Sequence, residues 1–314
     1  STIGAKGTNA YTSFDQTGFL NNIPANELER WLKIEQERFR NPVLRLFHTE
    51  LETVYEEFNM RTQDSDQGKI FDSLFRGLFQ QHNYGRQPVI GKPEDLKNPS
   101  MREIYHFFNT YYAPNNMAIC LSGDLDPEQT LDMIEQYFGG FEPVDQPERP
   151  KAEEPAFQQP AEKTVWGQEA ENVMLGYRLN GASSEDAKYM KVLEGLLFNE
   201  RAGLIDLNLN QRQAVMQAMC GFVPLKDYSL LLINAIPRAG QSLDEARQLV
   251  YEQIQNLRQG NFEEWMVEAV VNDLRLKQKE QLASNNGRVE AFVDAFSNEV
   301  PWTDYVRELE GLAQ

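Results

Sequence analysis

The stretch Y-S-L-L-L-I-N-A-I-P-R-A-G-Q-S-L-D-E-A-R-Q-L-V-Y-E-Q-I-Q-N-L-R-Q-G-N-F, residues 228–262, carries the clearest structural pattern in the chain. Its short apolar run predicts a strand, and the glycine that follows predicts a turn. Ser242 and Glu245 stand three residues apart at the start of an amphipathic segment, which is the spacing of a capping box at a helix start. Gly260 then predicts the end of that helix.

An earlier stretch repeats this order. Residues 117–141 read M-A-I-C-L-S-G-D-L-D-P-E-Q-T-L-D-M-I-E-Q-Y-F-G-G-F. The apolar start predicts a strand, Asp126 followed by Pro127 predicts a helix start, and the glycines predict its end. Few residues are identical, but the shared order favours two related domains. We therefore expect an α+β fold in which each domain packs a mostly antiparallel sheet against helices.

Chain length and one proline-rich segment set the expected domain boundaries. At 314 residues the chain exceeds what one compact core usually holds. Five of the fifteen prolines fall between Pro143 and Pro160, among Glu, Lys and Gln residues. This composition predicts an extended, semi-rigid linker. We expect a first domain at residues 1–142, the linker at 143–162 and a second domain at 163–314.

Charge and composition exclude several classes of partner. The chain has 30 basic and 48 acidic side chains, for a net charge of -18, which repels phosphate backbones and anionic membranes. No apolar run approaches the roughly 20 residues of a membrane-spanning helix. We expect neither nucleic acid nor a membrane as a partner. Cys120 and Cys220 lie in apolar surroundings and are predicted to be buried thiols, so the compartment, cytoplasmic or exported, stays open.

An acidic helix is predicted from F-H-T-E-L-E-T-V-Y-E-E-F-N, residues 47–59. Glu50 and Glu57 share one side of this helix beside its apolar stripe, and a partly buried carboxylate needs a partner that the neighbouring sequence does not offer. The residues alone leave a surface face and a functional pair equally open. His48 and Glu52 are interpreted as a solvated pair, because two ligands without a third rarely hold zinc. The stripe consists of Leu44, Phe47, Leu51, Val54 and Phe58.

Other motifs of chemistry are missing from the sequence. It contains no G-x-x-x-x-G-K phosphate loop, no nucleophile elbow, no C-x-x-C pair, and neither H-E-x-x-H nor H-x-x-E-H. The remaining histidines, His82 and His106, are predicted to be packed or hydrogen-bonded. A self-contained zinc site of the usual type is therefore not predicted.

Three segments in a fixed order resemble the pitrilysin/insulinase family of zinc metallopeptidases. They are G-T-N-A-Y-T-S at 7–13, E-L-E-T-V-Y-E-E at 50–57, and H-N-Y-G-R with Y-Y-A-P-N-N-M-A-I-C-L-S-G-D between 82 and 124. G-L-I-D-L-N-L-N at 203–210 and P-R-A-G-Q-S at 237–242 resemble the second domain of that family. The likeness thus covers nearly the whole chain.

The resemblance implies a zinc site of which this chain holds a part. Family members take two histidine ligands and a glutamate base from H-x-x-E-H, and a third ligand from a later helix. By this match Glu57 is the metal ligand, and Glu50 supports the site by orienting or hydrogen-bonding the ligands. The segment with H-x-x-E-H is expected upstream of Ser1, so both histidines and the base are expected outside this sequence. We expect that the chain alone binds no catalytic zinc and cleaves no peptide.

A substrate site is implied by the same resemblance. In the family, the strand that matches Thr8, Asn9, Ala10 and Tyr11 is an exposed edge to which a peptide substrate adds as a further strand. The expected function is part of a zinc metalloendopeptidase acting on unfolded or small peptides. Its expected partner is a second two-domain half, in the same chain or in a separate subunit. The alternative is a non-catalytic subunit of the same fold that holds peptides or docks to an active partner.

Overall fold

The computed structural model describes residues 3–97, 99–149, 151–310 and 312. The chain divides into two compact units, of which the first comprises residues 1–65 and 86–153 and the second residues 66–85 and 154–314. Helices and antiparallel strands occur in both units, which confirms the predicted α+β class.

The strands and helices are named in chain order. The strands are β1 (Lys6–Thr12), β2 (Thr17–Asn22), β3 (Val173–Asn180), β4 (Gln217–Val223) and β5 (Tyr228–Ile236). The helices are α1 (Leu28–Arg40), α2 (Phe47–Phe58), α3 (Asp66–Leu78), α4 (Asn83–Arg86), α5 (Pro93–Lys97), α6 (Met101–Tyr111), α7 (Pro127–Phe138), α8 (Glu185–Leu197), α9 (Leu243–Gln259), α10 (Trp265–Ala283), α11 (Asn285–Ser297) and α12 (Trp302–Arg307). Two π-helical turns span Asn59–Gln63 and Asp206–Asn210.

In the first unit, α1 packs against α7. The Tyr137 hydroxyl of α7 donates a 2.7 Å hydrogen bond to Glu29 of α1, and the Gln36 side chain donates to the Tyr137 carbonyl oxygen at 2.5 Å. The start of α7 is the one predicted from the sequence, because the Asp126 carboxylate accepts the N–H of Gln129 at 2.9 Å. This cap satisfies one of the N–H groups that a helix leaves unpaired at its first turn.

The strand predicted at the start of 117–141 is wrong. Residues 117–122 belong to no strand, although Met117 is extended, with φ −131° and ψ 153°. A strand needs a neighbour to satisfy its backbone groups. In the described part of the first unit, the strands that pair are β1 and β2, which form an antiparallel two-stranded sheet. An apolar run therefore identified an extended segment here and not a paired one.

The second unit is built on an antiparallel sheet in the order β3-β5-β4. Central strand β5 pairs with β3 from Tyr228 to Ala235 and with β4 from Leu230 to Ile236. Helices α8 and α9 pack on this sheet, because both carry apolar faces that need burial. Core side chains with almost no exposed surface include Leu197, Ile205, Leu209, Leu230, Ile233, Val250 and Val271.

Helix α9 confirms the capping pattern on which the fold prediction was built. The Ser242 hydroxyl accepts the N–H of Glu245 at 3.2 Å, and the Glu245 carboxylate accepts the N–H of Ser242 at 2.8 Å. Gly260 ends the helix with φ 70°, in the left-handed region that glycine adopts without strain. Local sequence therefore determines both ends of α9.

Helix α3 belongs to the second unit, although it lies within the range 1–142 expected for the first domain. It packs on β3, where a Cβ atom added at Gly176 would lie 2.8 Å from Leu74 and 3.0 Å from Leu78. The glycine thus permits close approach of helix and strand. Helical periodicity predicts an apolar face but not the sheet that it covers, so the contiguous boundaries at 142 and 163 stay a proposal.

The segment expected as a linker, residues 143–162, changes character at Glu154. The compact units divide the chain between residues 153 and 154, and the side chain of Glu154 has no exposed surface. Its carboxylate accepts the N–H groups of Gln81 and His82, each at 2.6 Å, and lies 3.4 Å from the Arg178 guanidinium. A buried carboxylate requires such partners, so this point of the proline-rich segment is fixed to the second unit.

Both cysteines are free thiols, Cys220 buried and Cys120 half-buried. Burial raises the pKa of the Cys220 thiol to about 12 and also raises the pKa of Cys120. Within the described residues, every helix is too short or too polar to cross a membrane.

Candidate functional site

Helix α2 forms where the acidic stretch predicts it. Phe47, Leu51 and Val54 are half-buried and Phe58 is buried, so the predicted apolar stripe faces the interior of the first unit. The helix begins after Leu46, whose φ of 55° lies in the left-handed region that a leucine rarely adopts. Strained backbone of this kind is concentrated at functional sites.

The Glu57 carboxylate is held by one cation. Its Oε1 lies 2.5 Å from Nη2 of Arg61, four residues further along in the π-helical turn. Side-chain exposure is 38% for Glu57 and 71% for Arg61. The expectation that the neighbouring sequence offers no partner is therefore wrong: the i, i+4 spacing of Glu57 and Arg61 is the signal that was missed. An exposed pair of this kind contributes little free energy, which leaves the carboxylate accessible to another cation.

Glu50 lies two helical turns before Glu57 and is exposed. Seven residues of α-helix correspond to a rise of roughly 10 Å, with both side chains on one side of the helix. At that separation the two carboxylates do not grip one ion together. A supporting role for Glu50 has to pass through another group that contacts the metal.

The other candidates on α2 point away from the stripe. His48, Glu52 and Glu56 are exposed, as expected of solvated positions. Among the described residues, no three His, Cys, Asp or Glu side chains converge where they could hold a metal ion. A catalytic zinc takes three protein ligands, usually His and carboxylate. The donor set of α2 fits one of these ligands, the carboxylate of Glu57.

Strand β1 carries the four residues predicted to bind peptide. Thr8, Asn9 and Ala10 are exposed, and Tyr11 is half-buried. The strand pairs with β2 from Asn9 onward, with a register irregularity between Lys6 and Asn9. In the described part of the first unit no strand pairs with its other edge. Such an edge offers N–H and C=O groups to an added strand.

The ring of Tyr11 explains one neighbouring residue. It lies over Gly18, the residue opposite it in β2, so a Cβ atom at position 18 would collide with the ring. The Tyr11 hydroxyl also accepts a 3.1 Å hydrogen bond from the Gln16 side chain. Both contacts hold the tyrosine on the hairpin itself, which keeps the ring in place along the edge strand.

The other histidines do not contribute to this site. His82 is 3% exposed in the second unit; its Nε2 lies 3.0 Å from Asp227 Oδ2, and its Nδ1 accepts the N–H of Tyr84. This agrees with the prediction of a hydrogen-bonded structural histidine. His106 is exposed on α6 and is not packed, because it lies on the outer face of that helix.

Comparison with known proteins places this architecture in a family. The family model described as the peptidase M16 inactive domain matches residues 100–274, more than half of the chain. The chain belongs to this peptidase M16 family. The zinc protease PqqE of Helicobacter pylori is 24% identical over 88% of this chain and 63% of its own length. The chain therefore spans less than two thirds of that relative.

Solved structures agree with the fold. A protease from Helicobacter pylori superimposes with a TM-score of 0.83 at 21% identity, covering 99% of this chain and 77% of that one. A peptidase M16 inactive domain from Pseudomonas fluorescens gives 0.79 at 16% identity, covering 98% of this chain and 75% of that one. The resemblance to a family of metallopeptidases, predicted from the order of three segments, is confirmed.

Proposed function

We propose that this chain is part of a zinc metalloendopeptidase that hydrolyses peptide bonds in unfolded or small peptides. The observation that carries the proposal is the likeness of 88% of the chain to a protein named as a zinc protease. Two features of the first unit support it: an accessible carboxylate on α2, and a strand with an unpaired edge among the described residues.

Glu57 is the proposed zinc ligand. The chemistry that zinc supplies in such peptidases is polarisation of a peptide carbonyl and activation of water. Glu57 supplies a negative oxygen donor, which exchanges its ion pair with Arg61 for the metal at little cost because that pair is exposed. Glu50, two turns away, orients a ligand that this chain does not contain. The H-x-x-E-H segment with both histidines and the base is expected in the coding sequence that precedes Ser1.

Strand β1 is the proposed substrate site. An extended peptide that adds beside Thr8, Asn9, Ala10 and Tyr11 bonds to their backbone groups. Backbone bonding selects for an extended chain more than for a sequence, so unfolded or short peptides are the fitting substrates. Since the chain spans 63% of its Helicobacter relative, a second two-domain half, in the same chain or in another subunit, is the proposed partner.

The test uses the chain together with the coding sequence that precedes Ser1. Zinc content is measured by atomic emission, and hydrolysis with a quenched fluorescent, unstructured peptide. Glu57→Gln is expected to abolish both, whereas Glu50→Gln lowers zinc affinity about 10- to 100-fold. Glu52→Gln, an exposed position on the same helix, is the matched control and leaves both unchanged. Full zinc occupancy in Glu57→Gln would remove Glu57 from the site.

A second candidate is a non-catalytic subunit that holds peptides or docks to an active partner. It is favoured by the description of the matching family model as an inactive domain. The same experiment separates the two. A longer protein that lacks zinc and hydrolysis, yet binds an extended peptide at β1, is the docking subunit.

A further inference from the structure

Each unit contains a hairpin of the same construction. In the first unit β1 is joined to β2 through residues 13–16, and in the second β4 is joined to β5 through residues 224–227. The first strand of each hairpin has seven residues and lies at the edge of its sheet in the described part of the chain. The second unit therefore has a counterpart to the edge at which peptide is proposed to add.

The edge of β4 is occupied by an asparagine side chain. Asn210, the last residue of the second π-helical turn, accepts the N–H of Ala218 at 2.8 Å and donates its amide to the Ala218 carbonyl oxygen at 2.8 Å. A side-chain amide carries the same donor and acceptor as a peptide unit. Asn210 thus satisfies Ala218 as a neighbouring strand would.

A glutamate fills the same edge one repeat further along. The Phe222 N–H donates to the Glu194 carboxylate of α8 at 2.9 Å. Ala218 and Phe222 are four residues apart in one strand, so their backbone groups point to the same edge. Burial raises the pKa of Glu194, as expected of a carboxyl packed between helix and sheet.

The corresponding edge of β1 has no such cover. Thr8, Asn9 and Ala10 are exposed, and no side chain of the described residues is hydrogen-bonded to their backbone. We propose that Asn210 and Glu194 close the outer edge of β4, so that of the two equivalent hairpins only that of β1 accepts an extended peptide. The closure also prevents β4 from pairing with β4 of another copy. The role of β1 rests on the proposed function; the closure of β4 does not.

Amide hydrogen exchange on the full chain tests the closure without any substitution. The N–H groups of Ala218 and Phe222 are expected to be protected, and those of β1 that face away from β2 to exchange about tenfold faster or more. Exchange at Ala218 and Phe222 as fast as at open β1 positions overturns the proposal. Adding an extended, unstructured peptide should slow exchange in β1 alone; a failure there counts against the proposed function, since protection of β4 is read separately.

A double variant tests the consequence. Asn210→Ala with Glu194→Ala should speed exchange at both β4 positions about tenfold. It should also produce either a second equivalent of bound labelled peptide or self-association in sedimentation. Asn261→Ala, an exposed asparagine of the same unit, is the matched control. Glu194→Gln keeps an acceptor for Phe222 and should remain closed. A folded double variant with unchanged exchange and association overturns the proposal, and if it does not fold, Asn210→Ala alone should release Ala218 but not Phe222.

Discussion

Oε1 of Glu57 lies 2.5 Å from Nη2 of Arg61 across the junction between α2 and the π-helical turn that follows it. Because both side chains retain exposed surface, water screens the attraction and the pair adds little to folding. The carboxylate is thus positioned without being consumed by the fold. This separates Glu57 from the carboxylate of Glu154, which is completely buried.

Substitution of Arg61 by Ala is expected to change the free energy of unfolding by no more than about 0.5 kcal/mol. Glu57→Gln should behave alike, because neither side chain fills the core. Urea unfolding of the full chain, with Glu52→Gln as an exposed control, measures both. A loss of about 2 kcal/mol or more at Glu57 would instead assign it a structural role and weaken its assignment as a metal ligand.

Glu154→Ala is expected to cost about 3–5 kcal/mol, since it leaves the Arg178 cation buried without its partner. The N–H groups of Gln81 and His82 lose their acceptor in the same variant. Glu154→Gln keeps an acceptor oxygen and should lie between Ala and the wild type. The exposed neighbour Glu153→Ala serves as the control in urea unfolding. Equal stability of the 153 and 154 variants would contradict a fixed segment at this point.

Glu245 makes the stability of α9 depend on pH. The Ser242 backbone N–H, followed by the Ser242 hydroxyl, lowers the pKa of this carboxyl. A lowered pKa in the folded state gives stability that is present above the unfolded pKa and lost as pH falls through the folded one. The stability difference between wild type and Glu245→Gln should therefore shrink between about pH 7 and about pH 3.

The control for this pH dependence is Glu252→Gln, an exposed position on the same helix. Thermal unfolding at a series of pH values gives both differences. A wild-type advantage over Glu245→Gln that stays constant into acid would show that the charge of the capping box contributes nothing.

Cys220 should resist alkylation in the folded chain. Its thiol is buried and its pKa is raised to about 12, so at about pH 8 almost none of it is thiolate, the reactive form. Peptide mass spectrometry after iodoacetamide is expected to find Cys120 modified before Cys220, and both modified after unfolding in urea. Modification of Cys220 at the rate of Cys120 without unfolding would contradict the packing of β4.

Features encoded by neighbouring residues were predictable from the sequence. The caps of α7 and α9 depend on side chains within three residues of the backbone groups they satisfy, and the stripe of α2 depends only on helical spacing. The expected strand at 117–122 failed because pairing depends on a neighbour that the local pattern does not specify. Likewise, the apolar face of α3 does not say that β3 is the strand it covers.

The candidate site was predictable to a similar degree. Resemblance supplied Glu50, Glu57 and the residues of β1, and the structure gives their exposure and their hydrogen bonds. The ion pair with Arg61 escaped prediction, because it crosses from an α-helix into a π-helical turn and was assigned to neither. The closure of β4 depends on Asn210 and Glu194, which approach the strand only in the folded unit.

The route of the backbone has a practical meaning for work with this protein. Residues 1–65 and 86–153 build one unit while residues 66–85 and 154–314 build the other, so the polypeptide passes from one to the other three times. No single cut separates the two. A gene truncated at the proline-rich segment would encode α3 without the strand it packs on, leaving Leu74 and Leu78 in water. Soluble expression of either unit by itself calls for moving residues 66–85 with the second one, as a circularly permuted or grafted segment.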